Sequence, residues 1–191
     1  MNVLLRTREL AVGFPSRELM TGVDFSLRAG EVAALIGLNG CGKSTLLRTL
    51  AGLHKPLDGQ VLVNGGELHA MSGAERARAI SVVLTGRPEA GLLDVRTLVS
   101  LGRQPWTGHL GRLNSEDHAR VQDAMVRTGV EVFAERSLGS LSDGEAQKVL
   151  IARALAQATP LMLLDEPTAF LDVVNRVSVL HLLKSLATDM G

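Results

Sequence analysis

The sequence predicts an α/β protein with a mostly parallel core sheet, and three observations carry that prediction. EVAALIG (31–37) and LMLLD (161–165) are short apolar runs, the composition of strands buried on both faces rather than strands with one wet face. Helical patterns follow each run, and strands separated by helices return parallel to one another. The composition is 46% hydrophobic and 21% charged over 191 residues, enough for one domain with a sizeable core.

In chain order, VLLRTRELAVGF and VDFSL carry partial alternation and are split by a turn at Pro15-Ser16, so they read as strands. EVAALIG is a strand ending in glycine, Ser44 to Leu53 a helix and QVLVN a further strand. AERARA and ISVVL read as a short helix feeding a strand. The middle of the chain changes character. Val95 to Gly102 and Ser115 to Thr128 are helical, with Val121, Ala124, Met125 and Thr128 at i, i+3, i+4 and i+7. Ser115 reads as the N-cap of the second, with Glu116 and Asp117 in the favoured first turn. After Ser142 a helix runs to Gln157, with Ile151, Ala154, Leu155 and Ala158 on one face. LMLLD is the second buried strand, and Val173 to Thr188 the final helix. Residues 87–140 read as a helical subdomain inserted into a core made of 1–86 and 141–191, all one domain.

The charge balance removes some function classes. Lys plus Arg and Asp plus Glu are 20 each, for a net charge of zero, so no global electrostatic grip on nucleic acid is expected. A single cysteine, Cys41, rules out an intrachain disulfide and fits a reducing compartment. The opening MNVLLRTREL has no long apolar stretch of the secretory type. No run is long enough to span a bilayer, so a membrane role requires a partner.

Gly37-Leu38-Asn39-Gly40-Cys41-Gly42-Lys43-Ser44 matches G-x-x-x-x-G-K-[ST] in full. Glycines at 37, 40 and 42 let the backbone turn tightly and aim N–H groups inward. The loop opens a helix, whose N-terminus adds positive potential. Lys43 supplies a mobile charge for the β and γ phosphates, and the Ser44 hydroxyl a ligand for Mg²⁺. Asn39, Cys41 and Thr45 belong to the same nucleotide-binding set. Cys41 reads as a small loop residue rather than a redox centre, although a thiol beside bound phosphate would make the site sensitive to alkylation.

Leu161 to Leu164 lead into Asp165-Glu166. A strand beside the one bearing the phosphate loop would bring Asp165 to the Mg²⁺ shell through water. Glu166, one residue on, would orient or deprotonate the attacking water.

Leu141-Ser142-Asp143-Gly144-Glu145, upstream of ARALAQATPLMLLDEPTAFLD, narrows this general P-loop pattern. The stretch resembles the ABC ATPase family, whose signature reads LSGGQ, and the resemblance covers essentially the whole chain with the motifs in family order. It implies a P-loop NTPase fold with an N-terminal antiparallel β subdomain and the inserted helical subdomain. It also implies ATP and Mg²⁺ as ligands, Glu166 and Lys43 as catalytic residues, and Ser44 and Asp165 at the metal. By the same resemblance Ser142 and Gly144 meet the γ-phosphate bound to a second copy, and Phe14 stacks on adenine. Ala169-Phe170-Leu171-Asp172 resembles the dimer-contacting D-loop. Independently of the family, Ser142-x-x-Glu145 is a capping box opening an amphipathic helix, and Asp172 is a suitable N-cap for the next one. Two residues depart from the signature: Asp143 stands for glycine, and Glu145 for glutamine. A carboxylate facing phosphate would repel it, so Asp143 is expected to point aside. The family's metal-sensing glutamine after ISVVL is absent: Val83-Leu84-Thr85-Gly86-Arg87 puts Thr85 or Gly86 in its place.

Asp94 to Trp106, DVRTLVSLGRQPW, resembles the VxELVxxGRxPW entry of ATPases that energise uptake of iron-siderophore, haem and cobalamin. The alternative is a generic amphipathic helix ended by Gly102 and Pro105. The resemblance implies two copies sandwiching two ATP molecules, docked on an integral membrane permease at the cytoplasmic face of the inner membrane. A substrate-binding protein acts indirectly, and nucleic acid takes no part. Cargo selection would belong to the permease and the binding protein. The rival classes are a soluble ABC ATPase acting on ribosomes or DNA, and a binding-only regulatory module. Lys43 and Glu166 together argue against the second. The family's last catalytic element, a histidine on a strand after the final helix, is expected to lie beyond Gly191. His181 falls within that helix and is no substitute, so the chain as written is expected to turn over slowly.

Overall fold

The computed structural model describes residues 3–86, 93–108, 111–169 and 171–190. Two compact units divide the chain, Met1–Ile80 with Ala187–Gly191, and Ser81–Leu186.

The first unit is organised by one long strand, β1 (Val3–Phe14). It pairs antiparallel with β2 (Arg17–Val23), β3 (Ser26–Arg28) and β4 (Asp58–Val63), and β4 pairs with β5 (Gly66–Glu67). The register sets Phe14 opposite Arg17 and Leu5 opposite Val63. β1 and β4 bury Leu5, Leu10, Val12, Val61 and Val63; on β1 the buried set changes parity at a register irregularity between Arg8 and Ala11, where Glu9 takes φ 45°. A Cβ at Gly59 would collide with the carbonyls of Arg8 and Glu9, so glycine there lets the two backbones close together. Helix α1 (Lys43–Leu50) stops short of the expected Leu53. Gly52 turns to φ 71° and Leu53 N–H folds back onto the Arg48 carbonyl at 2.9 Å, a glycine-closed helix end. Helix α2 (Gly73–Ala79) starts at a Ser72–Glu75 capping box.

The expected strand over EVAALIG is not formed. Residues 31–38 carry no strand, and Val32, Ile36 and Leu38 are 74%, 90% and 84% exposed. A strand is a paired state, and no described strand forms a ladder with these residues. Apolar composition supplies a reason to be buried but not the partner that makes the ladder.

The second unit contains the parallel element. β6 (Ile80–Val83) and β7 (Leu161–Leu164) form a two-stranded sheet. Ser81 bonds Thr159 at 2.9 Å and Asp165 N–H reaches the Val83 carbonyl at 2.8 Å. Contacts that ascend together along both strands are those of a parallel pair. Around them, α3 (Val95–Ser100), α4 (Ser115–Thr128) and α5 (Asp143–Ala156) share a core of Leu98, Val99, Val121, Met125, Val149 and Ile151. The last helix, α6 (Val173–Met190), adds Val179 and Leu186.

Helices α4 and α5 also have ends that differ from expectation. The cap of α4 is Asn114 rather than Ser115, because only from position 114 does Asp117 fall three residues on. Asn114 Oδ1 accepts from Asp117 N–H at 2.9 Å, and Asp117 Oδ2 from Asn114 N–H at 3.0 Å, a closed capping box. Helix α5 ends at Ala156, so Ala158 lies outside it, exposed and at φ 54°.

Candidate functional site

The phosphate loop and Phe14 belong to the first unit. Gly40 and Gly42 adopt φ 77° and 101°, conformations strained for any residue with a Cβ. Gly42 is the N-cap of α1 and offers no side-chain cap. A helix N-terminus without a side-chain cap carries positive potential that favours an anion. Lys43 Nζ donates to the carbonyls of Gly37 at 2.9 Å and Leu38 at 2.8 Å. The ammonium is thus curled across the mouth of its own loop, in reach of whatever the loop encloses. Asn39 and Cys41 are exposed, while Ser44 and Thr45 are half-buried in the first turn. A Cβ at Gly37 would come within 3.1 Å of Cys41 Sγ, so the thiol sits directly over that glycine. Phe14 ends β1 at 49% exposure. Its ring meets His54 at 5.3 Å between centroids, and His54 Nε2 hydrogen-bonds with the Gly13 carbonyl at 2.7 Å. Sequence reasoning missed His54, because 41 positions separate it from Gly13 and no motif marks it.

The two carboxylates at the end of β7 have opposite environments. Asp165 is buried, at 2% exposure. Its carbonyl accepts the Thr85 hydroxyl at 2.9 Å, so the segment that lacks glutamine is fastened to the acidic strand. Glu166 is exposed and held at φ 50°, a left-handed conformation that costs a non-glycine residue about 1–2 kcal/mol. Such strain on an exposed charged residue beside a buried carboxylate points to a function. Among the described residues no three His, Cys, Asp or Glu side chains gather as a metal cage. A hydroxyl, one carboxylate, water and phosphate oxygens suit Mg²⁺, which keeps most of its waters. The donor types of Ser44 and Asp165 fit that ion.

Ser142 caps α5. Glu145 N–H reaches Ser142 Oγ at 3.4 Å, and one oxygen, Glu145 Oε2, accepts both the Ser142 N–H and hydroxyl at 2.7 Å. The hydrogen bonds from the Ser142 side chain and backbone hold the Glu145 carboxyl below its ordinary range. Gly144 is buried, and a Cβ there would strike the Asn175 side chain. Asn175 is held by Asp172 through its N–H and Nδ2, both at 2.8 Å. The expected Asp172 cap is therefore present, and it connects to the signature glycine, a link invisible in the sequence. Phe170 and Arg87 lie outside the described residues.

Comparison with known proteins gives one consistent family. The profile described as ABC transporter matches residues 20–169. An achromobactin transport ATP-binding protein of Dickeya dadantii is 43% identical over 98% of this chain and 70% of its own length. An iron(3+)-hydroxamate import ATP-binding protein of Bacillus subtilis is 41% identical with the same two coverages. Among solved structures, a metal-chelate type ABC transporter in an inward-facing conformation superposes with TM-score 0.84 at 33% identity, over 98% of this chain and 69% of the other.

Proposed function

We propose, from the fact that this chain belongs to the ABC transporter family and is an ATPase subunit of it, that it powers import of metal chelates of the iron-siderophore, haem or cobalamin type. The two relatives are named for achromobactin and iron(3+)-hydroxamate, and the DVRTLVSLGRQPW segment supports the same substrate class.

The observation that carries the catalytic part is the pair at the end of β7, buried Asp165 beside exposed, strained Glu166. ATP is held by Gly37, Asn39, Gly40, Cys41, Gly42, Lys43, Ser44 and Thr45, with Phe14 under the base. Lys43 leaves its loop carbonyls for the β and γ phosphates. Glu166 orients the attacking water and takes up its proton. Ser44 and Asp165 would hold Mg²⁺, which when bound neutralises charge on the phosphate oxygens. Ser142 and Gly144 of a second copy close over the γ-phosphate, giving a C2 dimer with two nucleotides. Closure then depends on the γ-phosphate, and hydrolysis releases it.

Residues 87–140 act as the helical subdomain, against a core of 1–86 and 141–191. No helix among the described residues is long and apolar enough to cross a membrane. Attachment at the cytoplasmic membrane face runs through a permease, as for importer ATP-binding subunits of this family, with a substrate-binding protein engaged indirectly.

The test is Glu166→Gln in the native full-length protein. Binding without hydrolysis accumulates an ATP-dependent dimer on sizing chromatography. A variant that binds ATP yet remains monomeric overturns the sandwich. Purification in mild detergent that recovers ribosomal proteins in place of a many-spanning membrane protein overturns the transport assignment.

A further inference from the structure

The segment Gly102-Arg103-Gln104-Pro105-Trp106 grips one place, the last turn of α5. Gly102 lies so close to it that a Cβ would collide with the Arg153 carbonyl. Arg103 is buried at 5% exposure and donates through Nη1 to the carbonyls of Ala156 at 2.9 Å and Gln157 at 3.5 Å. Its Nε pairs with Asp117 Oδ1 at 2.9 Å, and Asp117 is itself buried and closes the cap of α4. Trp106 Nε1 donates to the same Gln157 carbonyl at 2.7 Å, and its ring lies 5.4 Å from the Arg103 guanidinium carbon. Three residues of one short motif therefore hold the carbonyl end of α5, and the guanidinium ties that end to the start of α4.

A buried guanidinium at this position does two things, the first of which a lysine cannot. Its planar fork addresses a carboxylate and two carbonyls in fixed relative directions. It also places positive charge at the negative end of a helix. The opposite end of α5 is Ser142. Helix α5 has 14 residues, about 21 Å at roughly 1.5 Å per residue, so pivoting its clamped end by about 5° displaces Ser142 by about 2 Å. Displacements of that size exceed the about 1 Å that costs reactive sites two orders of magnitude.

We propose that Arg103, with Gly102 and Trp106, is a positioning clamp for the signature helix. It sets where Ser142 and Gly144 meet nucleotide held by a second copy. This rests on the sandwich proposed above. The clamp deepens that reading by assigning the GRQPW motif a role in closure rather than in ATP capture by the phosphate loop.

The experiment compares Glu166→Gln with Arg103→Lys/Glu166→Gln and Trp106→Phe/Glu166→Gln in the native full-length protein. Trp106→Phe keeps an aromatic ring while losing the indole N–H and part of the ring's bulk, and it covers the case in which Arg103→Lys does not fold. Affinity for TNP-ATP and the ATP concentration for half-maximal dimerisation are read separately, with thermal melting to establish folding. The clamp predicts TNP-ATP affinity within about twofold of the parent, but at least about tenfold more ATP to form the dimer, larger for Arg103→Lys than for Trp106→Phe. A general loss of structure would move both readouts together. Folded variants that dimerise at the parent's ATP concentration overturn the clamp and leave the sandwich standing. A Glu166→Gln parent that binds ATP and never dimerises removes the sandwich and the clamp with it.

Discussion

The Thr85 hydroxyl donates to the carbonyl of Asp165 across 2.9 Å, while the Asp165 N–H donates to Val83 at 2.8 Å. The residue after β7 is thus held at both backbone groups by the end of β6 and the segment after it. This is the segment in which the family's glutamine is missing. Thr85 offers no amide, but it fixes the backbone from which the Asp165 carboxylate projects.

Thr85→Val keeps the shape and removes the bond. A buried carbonyl losing its donor costs about 1 kcal/mol, so denaturant unfolding should show a loss of that order. ATP turnover should fall severalfold, because the carboxylate of Asp165 is less firmly aimed. Thr85→Ser should restore both. Wild-type turnover in a destabilised Thr85→Val protein would show that the bond serves stability alone.

Gly42→Ala places a Cβ on a residue at φ 101°, within 3.3 Å of Leu19 Cβ and Met20 Cε. Backbone strain contributes about 1–2 kcal/mol, and the turn at the head of α1 must reshape. Equilibrium binding of a fluorescent ATP analogue should weaken at least tenfold, while Gly73→Ala, where a Cβ meets nothing, should bind as the parent does.

Glu145 gives a pH signature. Its folded pKa lies below the ordinary value because Ser142 hydrogen-bonds the carboxylate. A depressed carboxyl contributes stability that is fully present above the unfolded pKa, about 4.3, and is lost as pH falls through the lower folded value. Melting curves of the parent should therefore show this contribution at neutral pH and its loss below about pH 4. Glu145→Gln should flatten that acid limb. An unchanged acid limb in the variant would show that other carboxylates produce it.

Glu166→Gly separates strain from chemistry. Glycine accepts φ 50° without the Cβ penalty, so the backbone cost of about 1–2 kcal/mol is relieved. The variant should be as stable as the parent or more so, with hydrolysis abolished. Lower stability in thermal melts would show that the Glu166 side chain contributes contacts that outweigh its strain.

Much of the site could be read directly from the sequence because its elements are local. The phosphate loop, the Ser142–Glu145 capping box and the Asp165-Glu166 step each depend on residues within a few positions of one another. Gly40 and Gly42 take the positive φ that their residue type allows, and LMLLD forms a strand with β6 as its partner. Helices α3, α4 and α5 follow their apolar periodicity to within a turn at each end.

The unread parts depend on pairing across long separations. EVAALIG has the composition of a buried strand and is not one, because a strand exists only with a neighbour to bond. Composition determined which segments want burial, which residue types are suited to phosphate and metal chemistry, and, to within a residue or two, where the long helices begin. Tertiary structure alone decided that Thr85 would hold Asp165, that Asn175 would fill the space beside Gly144, and that Arg103 would bind the end of α5 while paired with Asp117. Each of these is a hydrogen bond or close contact between residues far apart in the chain. Their energy appears only once folding has brought both groups out of water together.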